Sequence, residues 1–445
     1  QNQRGNLCLE SSEIRRILHT PFLLLANGSN AEIIGKLGEG GQGTVYRVKL
    51  GGKEYALKWY HDGAIQNPKK FYQNLESNIA KGAPTKAFLW PLYITKPFED
   101  SFGYIMDLRP GNYREFSEFL LAKVHFESLS AAVNAALNIT NGFRELHRNG
   151  FSYQDLNDGN FFIDPSDGDV LICDNDNVAP YGESLGIAGK ARYMAPEVVR
   201  NMTRPNVMTD RFSLAVVLFR LLFLDHPLEG KRVVSAPCLT EELELKFYGQ
   251  EPFFIYDPTD DCNRPVRGVH SNAIRFWTMY PEFIRRKFVE SFTKEAMAGK
   301  TPRMTDNDWQ LAFTRLRGTV ITCPCGGQTF INVAGDANCI NCGQRIPKPR
   351  VLNCHNRKYG VALFPGMKIY RCHIDKSSDD FSEVVGEVAR NPNNPAMWGL
   401  RNLGDIAWNV ETADGAFKTI EKGQIAPIAA IKTIHFPNGT AVVEG

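Results

Sequence analysis

Residues 32–50 read EIIGKLGEGGQGTVYRVKL, and residues 53–60 follow as KEYALKWY. Both runs alternate apolar and polar positions, the period of half-buried strands. Gly38, Gly40 and Gly43 fall inside the first run, with strand patterns on both sides. A dinucleotide-binding fold would open a helix after its glycines. In a strand–turn–strand setting, glycines instead let backbone N–H groups approach phosphate oxygens where a Cβ would intrude. Gly51-Gly52 then reads as a two-residue hairpin turn. Lys58 lies fifteen residues after Gly43, on the next strand. A strand lysine aimed at phosphates needs an anion to hold it, and Glu76, on the helical stretch 67–81, is the expected partner.

Further motifs follow in order. FSYQDLNDGN (151–160) sets Asp155 and Asn160 in an Asp-x4-Asn spacing, and the strand VLIC (170–173) ends directly before Asp174. ARYMAPEVV (191–199) carries Ala195-Pro196-Glu197, TDRFSLAVVL (209–218) carries Asp210, and TPRMTDNDWQ (301–310) carries Arg303. Taken singly, each reads as structure: a strand-edge lysine, a helix cap, a turn asparagine. In this order and spacing they resemble the protein-kinase family across residues 32–317. The resemblance implies a small β-rich lobe and a larger helical lobe that bind ATP with Mg2+ or Mn2+. By the family's pattern, Lys58 holds the α- and β-phosphates with Glu76 pairing it, and Val45 and Ala56 sandwich the adenine. In GYIMDLRPG (103–111), Met106 guards the back of the pocket, and Asp107 and Leu108 begin the hinge. Asp155 accepts the substrate hydroxyl proton, Asn160 binds a second metal, and Asp174 is the main metal carboxylate, with Asp176 the alternative. Glu197 is expected to pair with Arg303.

The departures are specific. The usual His-Arg-Asp is Tyr153-Gln154-Asp155, and Gln154 has no charge with which to neutralise a loop phosphate. Residues 174–197 contain no Thr and one Ser, Ser184. Activation-loop phosphorylation is therefore expected to be dispensable. Asn157 stands where the family carries a Lys, and Lys190 where it carries a Thr, so Lys190 is a candidate to return the missing charge. Asn175 and Asp176 replace the Phe and Gly of the usual switch, which removes the hinged aromatic ring but no metal ligand.

The remaining chain adds two modules. Of ten cysteines, six lie between Cys323 and Cys372. Cys323-Pro-Cys325-Gly and Cys339-Ile-Asn-Cys342-Gly form two knuckles, and Cys323, Cys325, Cys339 and Cys342 are the expected ligands of a structural Zn2+. A disulfide framework is the other reading. From 351 onward short alternating segments suggest an all-β sandwich. GMKIYRCHI (366–374), LRNLGDIAWNV (400–410), IEKGQIAPI (420–428) and KTIHF (432–436) resemble a forkhead-associated domain. Arg371 and Asn402 sit near the family's phosphothreonine-reading positions, but no Ser-x-x-His motif accompanies them, so a docking sandwich is favoured over a phosphopeptide reader. The domain order, with FIYDPTDDCNRPV (254–266), resembles bacterial kinases of tellurite-resistance and stress gene clusters. That resemblance implies a von Willebrand-type protein and a protein phosphatase as partners.

The expected organisation is α+β: an extension (1–30), a kinase first lobe (31–108), a second lobe (109–319), a zinc ribbon (320–349) and a β-sandwich (350–445). The 445 residues carry a net charge of +2, with 43% hydrophobic and 22% charged residues. Nothing in that balance favours nucleic acid or an acidic membrane. The most apolar run, FSLAVVLFRLLFL (212–224), is interrupted by Arg220 and reads as a buried helix, not a span. The sequence starts at Gln1 without a leader pattern, which suggests a trimmed start, and cytoplasm is the expected compartment. Two functions from different classes fit these motifs: a Ser/Thr protein kinase, and a nucleotide-binding pseudokinase scaffold acting through its C-terminal modules. Phosphoryl transfer to a small molecule is a third. Retention of Lys58, Asp155, Asn160 and Asp174 together favours the enzyme, since a scaffold needs none of them.

Overall fold

The computed structural model describes residues 22–98, 101–185 and 189–445. These form two compact units, one from residues up to 118 with 142–164 and 170–213, the other from 119–141, 165–169 and 214–445.

The first unit is built on a six-stranded sheet ordered β1 (Phe22–Leu24), β2 (Asn30–Glu39), β3 (Gly43–Leu50), β4 (Lys53–Tyr60), β6 (Gly103–Asp107) and β5 (Tyr93–Ile94). The sheet begins earlier than the expected start at 31. Phe22–Leu24 pairs antiparallel with β2, and Leu23 and Leu25 are buried against Ala31, Val48, Leu57 and Ile105. Burial alternates along this continuously apolar run, with Phe22 and Leu24 exposed and Leu23 and Leu25 buried, as in an edge strand of the sheet. The short amphipathic pattern at 12–18 lies outside the described residues.

Gly51 and Gly52 both take positive φ, +57° and +87°, and pair Leu50 with Lys53 across the hairpin. Along β4 successive side chains point to opposite faces. Leu57 enters the core with Leu23 and Val48, whereas Ala56, Lys58 and Tyr60 share the face covered by helix α1 (Pro68–Lys81). That helix starts where the Asn67 side chain accepts the Lys70 N–H, with Pro68 in the first turn, and stops at Gly82, φ +78°. Its inward positions are Phe71, Asn74, Leu75 and Asn78. The catalytic-loop segment follows α2 (Leu129–Arg148), and the antiparallel strands Phe161–Ile163 and Val170–Ile172 bracket the turn expected at PSDGD.

The second unit packs helices around an aromatic core in which Phe219, Phe223, Trp277, Phe288 and Trp309 interleave edge-to-face and tilted. Helix Asp306–Arg317 opens with a reciprocal cap between Thr305 and Asp308. Two short hairpins follow, Val320–Thr322 with Gln328–Phe330 and Ala337–Asn338 with Arg345–Ile346. The chain ends in two antiparallel sheets of six and four strands, beginning at Val351–Cys354 and closing with Gly439–Glu444. The four-stranded sheet runs Lys368–Tyr370, Val384–Arg390, Trp398–Asn402 and Ile425–Pro427. Arg317, at the end of its helix, lies 3.4 Å over the Tyr370 ring. No helix of the described residues is long and apolar enough to cross a membrane.

The three glycines of the first hairpin have different reasons to be glycine. A Cβ on Gly43 would drive into the Trp59 carbonyl of the paired strand, whereas Gly38 and Gly40 face open space. Gly43→Ala is therefore expected to cost ~1–3 kcal/mol, by overpacking against backbone. Gly38→Ala should stay within ~0.5 kcal/mol of wild type in the same denaturant melt.

Candidate active site

The site lies within the first unit. Lys58 projects from β4 into a nearly dry position, its Nζ 2.8 Å from Asp176 Oδ2 and 3.3 Å from Asp174 Oδ1. Burial alone would lower the Lys58 ammonium. Asp176 and Asp174 outweigh it and hold the group above its ordinary value. The Tyr60 hydroxyl donates to the same Asp176 oxygen at 2.5 Å. Burial, then the Asp176 charge, push the Tyr60 and Tyr104 phenols far up, so both remain neutral.

Glu76, the expected partner of Lys58, is not brought there. It is exposed on the outer side of α1, lining a hollow with Pro68, Tyr72 and Phe102. The buried stripe of that helix is Phe71, Asn74, Leu75 and Asn78, and Glu76 falls off it. Asn74 and Asn78 instead both donate side-chain N–H groups to the Val178 carbonyl, at 2.8 and 2.9 Å.

Asp174 sits in the left-handed region, φ +54°, at the head of a tight turn over Asn175–Asn177. Its side chain is 42% exposed, whereas that of Asp176 is 0% exposed. Asp174 is thus the more exposed of the two carboxylates, and Asp176, the alternative ligand, is engaged by Lys58 and Tyr60. Asn175 occupies the switch aromatic's place. It is buried and donates to the Leu89 and Ile172 carbonyls, both at 2.8 Å.

The catalytic loop is anchored from below by Asp210, which accepts the Tyr153 N–H at 2.6 Å and the Gln154 N–H at 3.1 Å while contacting His147. Tyr153 is buried against Phe143, and its hydroxyl donates to the Cys173 carbonyl, tying the loop to the residue before Asp174. Gln154, φ +74°, reaches the Glu183 carbonyl at 2.7 Å. Asn157 caps the turn Asp158–Asn160 and donates to Asp155 Oδ1 at 3.3 Å. Asn160 is buried, its Oδ1 accepting the Asn157 N–H at 2.8 Å. Lys190 lies 3.5 Å from Asp158, and a Cβ on Gly189 would crowd Asp155 Oδ1.

Most of the residues expected to line an adenine site lie together. Ala56, Met106 and Cys173 share one buried cluster, with Val45, Leu108 and Phe162 packed against it. Asp107 is exposed and ion-paired with Lys53 at 2.9 Å. Phe162 was not anticipated. It lies two residues after Asn160 on a strand whose flanking residues Phe161 and Ile163 point into the core, so alternation turns it the other way.

In the second unit, the Sγ atoms of Cys323, Cys325, Cys339 and Cys342 lie within 4.8 Å of one another, with two pairs at 3.8 Å. A zinc tetrahedron with ~2.3 Å arms has edges of ~3.8 Å, so the donor set fits that ion. Gly326 and Gly343, at φ +88° and +74°, turn each knuckle. In the sandwich, Arg371 is bound bidentately by Glu383, and Asn402 is buried, donating to the Ile406 and Ile420 carbonyls. Both are spent on the fold.

The first unit thus brings a lysine, two loop carboxylates and an asparagine onto neighbouring elements. The profile described as "Protein kinase domain" matches residues 31–250, just under half of the chain. Ribosomal protein S6 kinase alpha-4 of Homo sapiens is 27% identical over 221 residues, covering 46% of this chain and 28% of that protein. G protein-coupled receptor kinase 2 of Caenorhabditis elegans is 26% identical over 226 residues, 47% of this chain and 31% of its own. Beta-adrenergic receptor kinase 1 of Mesocricetus auratus is 27% identical over 228 residues, 47% and 32% respectively. The chain spans less than a third of the length of these relatives.

Burial is the main reason the Asp155 carboxyl is pushed up to about 6. The Asn157 hydrogen bond pulls it down, and Asp174 adds to the rise. A general base works deprotonated, so transfer should fall with a one-proton slope as pH drops through about 6. Asn157→Ala removes the bond that favours the anion. Its acid limb should move to higher pH, read from kcat/KM against pH.

Proposed function

We propose that this chain is an ATP-dependent Ser/Thr protein kinase, with magnesium or manganese, that needs no activation-loop phosphate. The observation that carries the reading is the gathering of Lys58, Asp155, Asn160 and Asp174 on neighbouring elements of the first unit, with Asp155 buried enough to act as a base near neutral pH. An ion would be held by Asp174 with Asn160 and would supply charge neutralisation of the triphosphate. Lys58 fixes the α- and β-phosphates, and Asp155 takes the hydroxyl proton as the oxygen attacks the γ-phosphorus in line with the leaving ADP. Lys190, beside Asp158 and lowering Asp155 by its charge, supplies the cation that Asn157 lacks.

Independence from loop phosphorylation is supported by Gln154. Its neutral amide grips the activation segment at the Glu183 carbonyl, the task for which an arginine would need a phosphate. The names of the relatives, a ribosomal protein S6 kinase and a G protein-coupled receptor kinase, support transfer to protein. In the C-terminal part, the reading is a structural zinc ribbon and a forkhead-associated-like sandwich used for docking, since Arg371 and Asn402 are engaged internally. Partners of the von Willebrand type and a protein phosphatase are proposed from the domain order alone.

Phosphate transfer from labelled ATP to a protein acceptor tests the reading. Asp155→Ala should lose at least ~100-fold, whereas Ser184→Ala should stay near wild type. Equal signals from wild type and Asp155→Ala would reject catalysis, and nucleotide binding without turnover would favour the scaffold. Metal analysis of the purified chain should find zinc. Cys342→Ser should release it and lower the melting temperature.

A further inference from the structure

Lys58 has two acids within ion-pairing distance among the described residues, and neither belongs to helix α1. Asp174, the nearer to solvent, is the residue an ion would claim. Asp176 is enclosed, and one of its oxygens receives both Lys58 Nζ and the Tyr60 hydroxyl. The turn that carries Asp176 is itself fixed: Asn175 is pinned to the Leu89 and Ile172 carbonyls, and Asn74 and Asn78 hold the Val178 carbonyl just beyond. The helix therefore touches this turn through neutral amides and offers the lysine no charge.

We propose that Asp176 is the positioning residue for Lys58, replacing a helix glutamate as the anchor of the phosphate-binding lysine. The inference rests on the kinase reading of the same site. Lysine anchor and metal carboxylate then stand two residues apart on one rigid turn. An outward movement of α1 would leave the lysine in place, so the chain lacks the common means of switching off by breaking a helix–lysine ion pair. Asp174, which makes the longer contact to Lys58, remains the more exposed carboxylate for an ion.

The test is a double-mutant cycle on the full chain, with Mg-ATP affinity and phosphate transfer both measured. Asp176→Asn keeps the shape of the side chain and removes its charge. It is expected to lower kcat by on the order of 100-fold, since a displaced lysine no longer meets the phosphates. Glu76→Gln should match wild type. Lys58→Met with Asp176→Asn should bind Mg-ATP no more weakly than Lys58→Met alone, because the aspartate acts only through the lysine. A merely structural role would make the two losses multiply, and that result overturns the inference. Asp176→Asn with wild-type affinity and rate also overturns it. Should wild type bind nucleotide yet transfer nothing, the kinase reading alone fails, and the affinity cycle still decides the role of Asp176. Should Asp176→Asn fail to fold, Tyr60→Phe carries the same cycle. It removes one of the two donors to the carboxylate, and its loss of affinity should vanish in the Lys58→Met background.

Discussion

A charged ammonium in a nearly dry protein interior must be neutralised by something equally fixed, and much of the first unit follows from that constraint. Lys58 is placed on the inner face of β4 by strand alternation, between Ala56 and Tyr60. Breaking a buried pair by removing one partner typically costs ~3–5 kcal/mol, because the remaining charge is stranded. Asp176, the Tyr60 hydroxyl and the turn beneath them therefore form one electrostatic unit, and the loop after Val170–Ile172 must keep its conformation for the lysine to stay.

Around this unit, hydrogen bonds have replaced the apolar contacts that the resemblance to kinases would suggest. Asn74, Asn78 and Asn175 each spend a side-chain amide on a backbone carbonyl, and Gln154 does the same at Glu183. Such bonds have narrow geometric tolerance, and a buried amide left unpaired is costly. A packed aromatic ring can slide between rotamers, whereas these amides hold the loop in one register. Tyr153 contributes in the same sense by linking the catalytic loop to the Cys173 carbonyl.

The order of elements was legible because the phosphate and metal binding expected from the motifs would demand particular residues at particular spacings. Gly38, Lys58, Asp155, Asn160 and Asp174 carry those demands in the sequence. The partner of Lys58 was not legible by analogy, because an acidic residue at the right distance along a helix says nothing about which way it faces. The stripe of Phe71, Leu75 and Asn78 would have placed Glu76 outside. Asp176 was hidden for a different reason. Only the left-handed turn at Asp174 separates one carboxylate facing solvent from another facing the lysine, and no composition or periodicity announces that turn. Phe162 was available from alternation along its strand. For Arg371 and Asn402, only their contacts reveal that Glu383 and backbone carbonyls already occupy them.

The asparagine at 175 also bears on pharmacology. In a switch built on an aromatic ring, rotation of the ring empties an oily cavity next to the nucleotide, and elongated apolar compounds gain affinity by filling it. Here the corresponding volume holds a small amide bonded to the Leu89 and Ile172 carbonyls. Vacating it would uncover two carbonyl dipoles rather than a greasy hole. Compounds designed to enter such a cavity gain little from this chain. The buried cluster of Ala56, Met106 and Cys173, with Phe162 packed against it, offers the more particular apolar surface.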